Sequence, residues 1–406
     1  GPRMIEARRR LPARLDMTIW HEMSKTPQLN KKLIPPVVEG NLPHGEVTIA
    51  EALRQAGYKT GHVGKWHLGE ASHYPETHGF DFTFGGSFWG CPATFYFPYR
   101  GMYGGAQNRH YRYIPGIDST ESRDGEHLTD RLTNEALGFI DRASDDPFFL
   151  YMAYYTVHTP IEGKPEIAAR YENSIHDGMD HQNAHYAAMH ETLDDNVGRI
   201  LQKLEDDGIA NRTVVILTSD NGGFIGSSEG QVVTSNSPLR SGKGSLYEGG
   251  VRVPMIVHWP GVTRPGSASH EPVATMDLYP TLVDMAGLKS ETAAKQAVDG
   301  ISLTSLLKAP QSKLERDALF WHYPHYYATT TPASSARQGK WKLIEYFEDG
   351  HLELYDLESD LGESKNLAAS EPRIAKALQQ RLAEWRTSVN ASMPQPNPNW
   401  KAKSER

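Results

Sequence analysis

One cysteine in 406 residues, Cys91, leaves no internal disulfide framework and no cysteine-cluster metal site. It does not fix the compartment, because exported proteins without disulfides exist. Its context, GCPATFYF, shows no helix N-terminus and no basic neighbour, so the thiol reads as packed and inert. Long apolar runs are missing too. The longest, Phe148–Tyr155, is short and aromatic, so it reads as a buried strand and not a membrane span. No signal-peptide pattern opens the chain. Positive charge is not in excess: 42 Lys and Arg against 50 Asp and Glu give a net charge of −8, which argues against nucleic acid as the main ligand. A local basic pocket for an anion remains compatible with that balance. The phosphate-loop pattern GxxxxGK(S/T) and the nucleophile pattern GxSxG are both missing, as are internal repeats. What is present, 38% hydrophobic and 23% charged residues, suits a soluble chain with one large domain and an appendage, or two domains.

Thr48 reads as the cap of a helix over 49–56, with Glu51 completing a capping box and Gly57 ending it. Tyr58–Val63 is a short strand. Residues 70–120 are rich in glycine, aromatics and histidine without a clear period. They read as long loops and short strands over a pocket mouth, or as an aromatic mini-core. A helix over Leu128–Arg142, the strand Phe148–Tyr155, a helix over His181–Asp207, the strands Thr213–Leu217 and Val251–Trp259, and a helix over Met276–Ala286 follow. The β-branched run Thr213–Leu217 predicts a strand buried on both faces. This alternation predicts an α/β fold, a mostly parallel mixed sheet between helices. Beyond about residue 310, short strands over 317–323, 334–347 and 352–357 precede an amphipathic helix over Pro372–Val389, a small α+β subdomain with an antiparallel sheet. The expected division is a core over 1–314, this subdomain over 315–392 and a disordered tail over 393–406.

Four stretches carry chemistry. In GHVGKWHLG at 61–69, extended-chain alternation points Lys65 and His67 to one side and Trp66 to the other, as an anion site requires. The same pattern suits a half-buried strand end with a snorkelling lysine. His158, in HTP at 158–160, falls just past a strand's carboxyl end, the edge where α/β sheets bind ligands. Asp220 and Asn221 offer hard oxygen donors suited to Ca²⁺ or Mg²⁺, although DNG is commonly a plain turn and two ligands do not complete a calcium shell. Lys243 in SGKGSLYEGG lies on a glycine-rich loop, able to reach an anionic oxygen or to lie solvated.

Together, GYKTGHVGKWHLG, HTP, TSDNGG, GKGSLYEGGVRVP and the C-terminal GKWKLI…LELYDLESDLGESKNLA resemble a type I sulfatase of the alkaline phosphatase superfamily, over nearly the whole chain from Leu11 to Trp385. The resemblance implies that Lys65 and Lys243 bind sulfate, that His67 orients the nucleophile, and that His158 protonates the leaving alcohol. It implies that Asp220 and Asn221 are two of the ligands of a Ca²⁺. It further implies a Cys or Ser matured to formylglycine in a C/S-x-P-x-R motif and an Asp pair on a first strand. LPARL at 11–15 matches the segment after that motif, with Arg3 as the nearest candidate for its arginine. The expectation is therefore a family member lacking first strand, nucleophile and Asp pair, with a gap in its sheet, weak calcium binding and no turnover of its own. His322 and His325, in the aromatic WHYPHY, are expected to line the pocket for a sulfated carbohydrate, the aromatic cluster alternatively packing between domains. The resemblance implies a periplasmic or secreted parent. Two other functions fit the same residues: a phosphoesterase or phosphonate hydrolase of the superfamily, and a non-catalytic sulfated-glycan-binding protein.

Overall fold

Thr48 starts the first helix in the way its spacing to Glu51 predicts. Its hydroxyl accepts the Glu51 amide at 3.1 Å, and the Glu51 carboxylate accepts the Thr48 amide at 2.8 Å. The computed structural model describes residues 30–38, 40–104, 110–117, 124–288 and 297–401; Arg3 and the 11–15 segment lie outside them. Helix α1 (Ile49–Gln55) leads into strand β1 (Lys59–Gly64), which lies between β2 (Phe82–Phe84) and β3 (Phe148–Ala153) and is parallel to both. Helix α2 (Leu128–Ala143) covers this sheet. Leu128, Leu132 and Ala136 pack with Val63, Phe84 and Tyr155 into a dry core. Helix α3 (Ala184–Asp206) lies beside α2, and Leu204 joins Ile140 and Ile209 under Phe148, Leu150 and Val215.

Strand β4 (Val215–Thr218) pairs antiparallel with β5 (Met255–His258). Between them the helical content is a single turn, Glu248–Val251, too short for the crossover that a parallel return needs. The sheet system is thus mixed, three parallel strands plus an antiparallel pair. β4 is also not buried on both faces as its composition predicts: Leu217 is 37% exposed, and Ile256 on β5 is 63% exposed. Among the described residues β3 pairs with β1 alone and β4 with β5 alone, leaving one edge of each without a strand. Both strands nonetheless pack over the same helical layer.

The C-terminal strands β6 (Leu319–Tyr323), β7 (Ala333–Gln338), β8 (Trp341–Tyr346) and β9 (Leu352–Asp356) form one antiparallel sheet in sequence order. Helix α4 (Pro372–Ser388) packs Ala375, Leu378 and Leu382 against Ala336, Leu343 and Leu354. The expected disordered tail is corrected over its described part. Gln395–Pro396 pairs antiparallel with Leu33–Ile34, and the Asn397 side-chain amide donates to the Lys31 carbonyl at 2.7 Å. Backbone pairing, which composition does not report, holds this polar segment. The aromatic 70–120 region divides between both readings. Phe80, Phe88 and Trp89 join Trp66 in a buried cluster, while Tyr103 and Arg112 reach the pocket described next.

Candidate anion-binding site

Gly64 ends β1 with φ +104°, and a Cβ there would overlap the Ala153 carbonyl of β3. Only glycine lets the chain turn at this point. Lys65 follows, its amide on the Ala153 carbonyl at 2.7 Å. Because the strand stops at Gly64, side-chain alternation does not orient Lys65 and His67. A left-handed residue does: His67 has φ +57°, and its ring lies over Gly90, where a Cβ would come within 2.6 Å of the ring. Trp66 is buried and donates its indole N–H to the His73 carbonyl at 2.8 Å, anchoring the turn.

Five of the expected residues converge: Lys65, His67, His158, Asp220 and Lys243. Lys65 Nζ lies 3.3 Å from Asp220 Oδ2 at the end of β4. Lys243 Nζ lies 3.1 Å from His158 Nε2, just past β3. The Thr159 carbonyl, 3.0 Å from His158 Nδ1, accepts from that nitrogen and leaves Nε2 as the lone-pair end facing Lys243. Burial, then Lys243, pushes the His158 pKa down to about 4. His67 is also lowered to about 4, by lost hydration first and then by Lys65, Lys243 and Arg112. The residue is nonetheless exposed at the surface, so the loss of hydration is partial. Lys243 is lowered by burial and by Lys65, with Asp220 opposing. Cations thus depress one another here, and the one carboxylate paired with Lys65, Asp220, has a side chain 66% exposed. This excess of positive charge around His67, His158 and Lys243 suits an anionic ligand.

Sequence reasoning missed the outer wall. Arg112 Nη1 donates to Cys91 Sγ at 2.6 Å, and its guanidinium stacks 4.1 Å from the centre of the Tyr103 ring. Cys91 therefore has the basic neighbour that its local sequence does not show. Tyr103 in turn bonds the Thr159 hydroxyl at 2.7 Å, next to His158. No local pattern joins residues 91, 103, 112 and 159; only the histidine- and aromatic-rich composition of the region hints at a site. A buried histidine, His62, was also unmarked. Its Nε2 bonds the Lys65 carbonyl at 3.1 Å and braces the turn from beneath.

His322 is corrected. Its Nδ1 bonds Ser334 Oγ at 2.6 Å and its Nε2 bonds the Ser392 carbonyl at 2.9 Å, so both nitrogens hold β6 to β7 and to the tail. His325 lies on the following loop, its ring 5.6 Å from that of Tyr323. That loop touches the pocket through other residues: Thr329 donates to the Lys243 carbonyl at 2.8 Å, and the Tyr327 ring lies where a Cβ on Gly244 would be.

Asp220 and Asn221 have the oxygen chemistry of a calcium site but not the number. Calcium takes six to eight oxygens. Among the described residues no group of three acidic, histidine or cysteine ligands includes Asp220, which pairs with Lys65. The Asn221 side-chain amide donates to the Gly222 carbonyl at 2.9 Å. The donor set present does not fit a complete Ca²⁺ shell.

Comparison with known proteins places this chain in a family. Residues 21–288 match the family model described as Sulfatase, and residues 242–388 match that of the N-sulphoglucosamine sulphohydrolase C-terminal region. The chain belongs to the sulfatase family. It is 40% identical over 289 residues to a sulfatase of Formosa agariphila, covering 66% of this chain and 51% of that protein. It is 32% identical over 331 residues to human N-acetylgalactosamine-6-sulfatase, covering 75% of this chain and 59% of that one. The chain thus spans little more than half the length of these relatives. Among solved structures, that of Ps i-CgsB aligns at TM-score 0.69 and 26% identity, over 96% of this chain and 82% of the other.

Proposed function

We propose that this pocket binds the sulfate group of a sulfated carbohydrate, and that the protein to which the chain belongs hydrolyses that ester. The convergence of Lys65, Lys243, His67 and His158 around one poorly neutralised space carries the reading. Lys65 and Lys243 would meet the sulfuryl oxygens, where negative charge grows on the way to the transition state. In the free pocket the Lys243 ammonium donates to His158 Nε2 and keeps that ring neutral. An incoming anion draws Lys243 away and adds negative charge, and both changes raise the His158 pKa. His158 then holds a proton at Nε2 for the leaving alkoxide, a role worth about 10²–10⁴-fold in rate. His67, turned into the pocket over Gly90, is placed to orient a nucleophile.

Calcium and formylglycine belong to the same proposal. Asp220 and Asn221 supply part of a cation shell, and no C/S-x-P-x-R motif occurs in this sequence. We therefore infer that the chain by itself binds a sulfated ligand without turning it over. Support for a carbohydrate comes from the human relative named above and from the complex of Ps i-CgsB with k-i-k-neocarrahexaose, which aligns at 25% identity with TM-score 0.67. The described residues contain no helix long and apolar enough to cross a membrane, and export to the periplasm or beyond is part of the proposal. A two-metal phosphoesterase is less favoured, because among the described residues no cluster of three acidic, histidine or cysteine ligands includes Asp220.

Calorimetry with a sulfated oligosaccharide, run beside a sulfate-release assay, tests both halves. Binding that Lys243→Ala removes, with no release, is the expected result. Failure to bind contradicts the pocket assignment, and clear release by the purified chain contradicts the inferred lack of turnover.

A further inference from the structure

We propose that His44, His73 and His78 bind one divalent transition-metal ion of the zinc class, at a site separate from Asp220 and Asn221. Each histidine offers a ring nitrogen, and the three donor atoms lie within 4.8 Å of one another. The rings form a cluster, with centres 4.2 Å apart for His44 and His73, 4.9 Å for His44 and His78, and 5.9 Å for His73 and His78.

His78 supplies an independent observation. It is completely buried, and neither of its ring nitrogens has a hydrogen-bond partner. A buried polar atom without a partner costs about 1–3 kcal/mol, so a native site normally answers it with water, an ion or a side chain. Here the groups facing it are two more imidazoles, which as neutral rings offer lone pairs. Three such rings hold a metal ion far better than they hold three protons.

The surroundings match those of metal-bound histidines. His73 Nδ1 lies 2.8 Å from the Leu42 carbonyl, which accepts its proton, fixes the tautomer and leaves Nε2 free as a ligand. The Glu51 carboxylate nearby is engaged with the Thr48 amide. Nitrogen-only coordination selects zinc, copper or nickel over calcium. Three protein ligands leave a fourth position for water, and the exposed His44 lies on the open side. Metal–nitrogen bonds of about 2.0–2.1 Å require the rings to tilt out of their stack. His44, on the surface, is free to make most of that adjustment.

The ion would join the 41–48 segment, ahead of α1, to the 71–80 loop. Both already touch the pocket turn: the Trp66 ring lies tilted 5.7 Å from that of His78 and donates to the His73 carbonyl, and the Leu42 amide donates to the Leu68 carbonyl at 2.7 Å. Its place is thus to brace the turn that carries Lys65 and His67.

The test uses the full chain without a histidine tag, stripped with chelator and titrated with zinc chloride by calorimetry. One equivalent should bind. His44→Ala and His73→Ala should each weaken binding by at least about tenfold, the loss that follows even when an outer partner of a ligand is removed. Asp220→Asn should leave zinc binding unchanged. Because His78→Ala risks misfolding, the exposed His44 is the primary variant, checked for native circular dichroism. Cobalt(II) substitution should give tetrahedral ligand-field bands that H44A abolishes. Absence of stoichiometric zinc binding overturns the proposal, and so does affinity unchanged in both H44A and H73A.

Discussion

Lys342 and Lys243 show two opposite ways of burying an ammonium group within one linked region. Lys342, on β8, is fully buried between two carboxylates, Glu248 at 2.8 Å and Glu363 at 2.9 Å. Glu248 also takes Arg252 at 2.7 Å, and its amide donates to Glu363. The two carboxylates divide the load: burial raises the Glu363 pKa, whereas Lys342 and Arg252 outweigh burial and lower that of Glu248. Five residues before Glu248, Lys243 has no carboxylate paired with it among the described residues. It meets a neutral imidazole, with Lys65 close enough to add to the positive field. The first arrangement is closed and complete without a ligand. The second is open, and the proposed anion would complete it. Charge count around a lysine therefore separates a group that joins the C-terminal sheet to the core from groups kept for binding.

The largest expected effect falls on the closed side. Lys342→Ala leaves Glu248 and Glu363 buried without their cation, and should cost about 3–5 kcal/mol in a urea melt. Lys243→Ala in sulfate-free buffer should change stability by no more than about 0.5 kcal/mol. Equal losses at the two lysines would erase the contrast. Next in size is the response to ligand. Sulfate at about 100 times its Kd should stabilise the native chain by about 2.7 kcal/mol, read as a rise in Tm. Lys243→Ala should lose that rise, and Glu363→Gln should keep it.

A pH series sharpens the comparison further. His62, His67 and His158 sit near 4 in the folded chain against 6.5 as the ordinary value. Between those two pH values the unfolded chain binds more protons, so their contribution is fully present above pH 6.5 and is lost as pH falls toward 4. Thermal melts should show that decline. Bound sulfate should flatten it, because an anion favours the protonated rings, and a decline identical with and without sulfate would place these histidines outside the anion's reach. The smallest effect is local. Thr48→Ala should cost about 1 kcal/mol through loss of the cap, without altering sulfate affinity.

Much of this was legible in the sequence, for physical reasons. The Thr48–Glu51 cap and the periodic stripe of α2 are local signals, and both elements form where the spacing places them. The convergence of residues 65, 67, 158 and 243 was legible through family resemblance; composition alone left each of them ambiguous. What escaped is long-range. His322 reads as a pocket-lining residue in sequence, yet β-sheet register puts Ser334 opposite it and the tail brings Ser392 to its other nitrogen. The turn at His67 depends on a glycine more than twenty residues away, Gly90. Along α3 the buried face runs through Ala188, Thr192 and Asn196 and leaves Leu201 exposed. Asn196 is tolerated there because it donates to Asp130 on α2 at 2.8 Å, a partner that hydrophobic periodicity cannot register.

The central claim is that Lys65 and Lys243 form an anion site. Isothermal calorimetry of sulfate binding to the native chain and to the Lys65→Ala/Lys243→Ala double variant tests it most directly. The account predicts one sulfate per chain in the native protein and none in the double variant, with the fold intact by circular dichroism. Sulfate affinity that is the same in both proteins, or no uptake by the native chain, would contradict it.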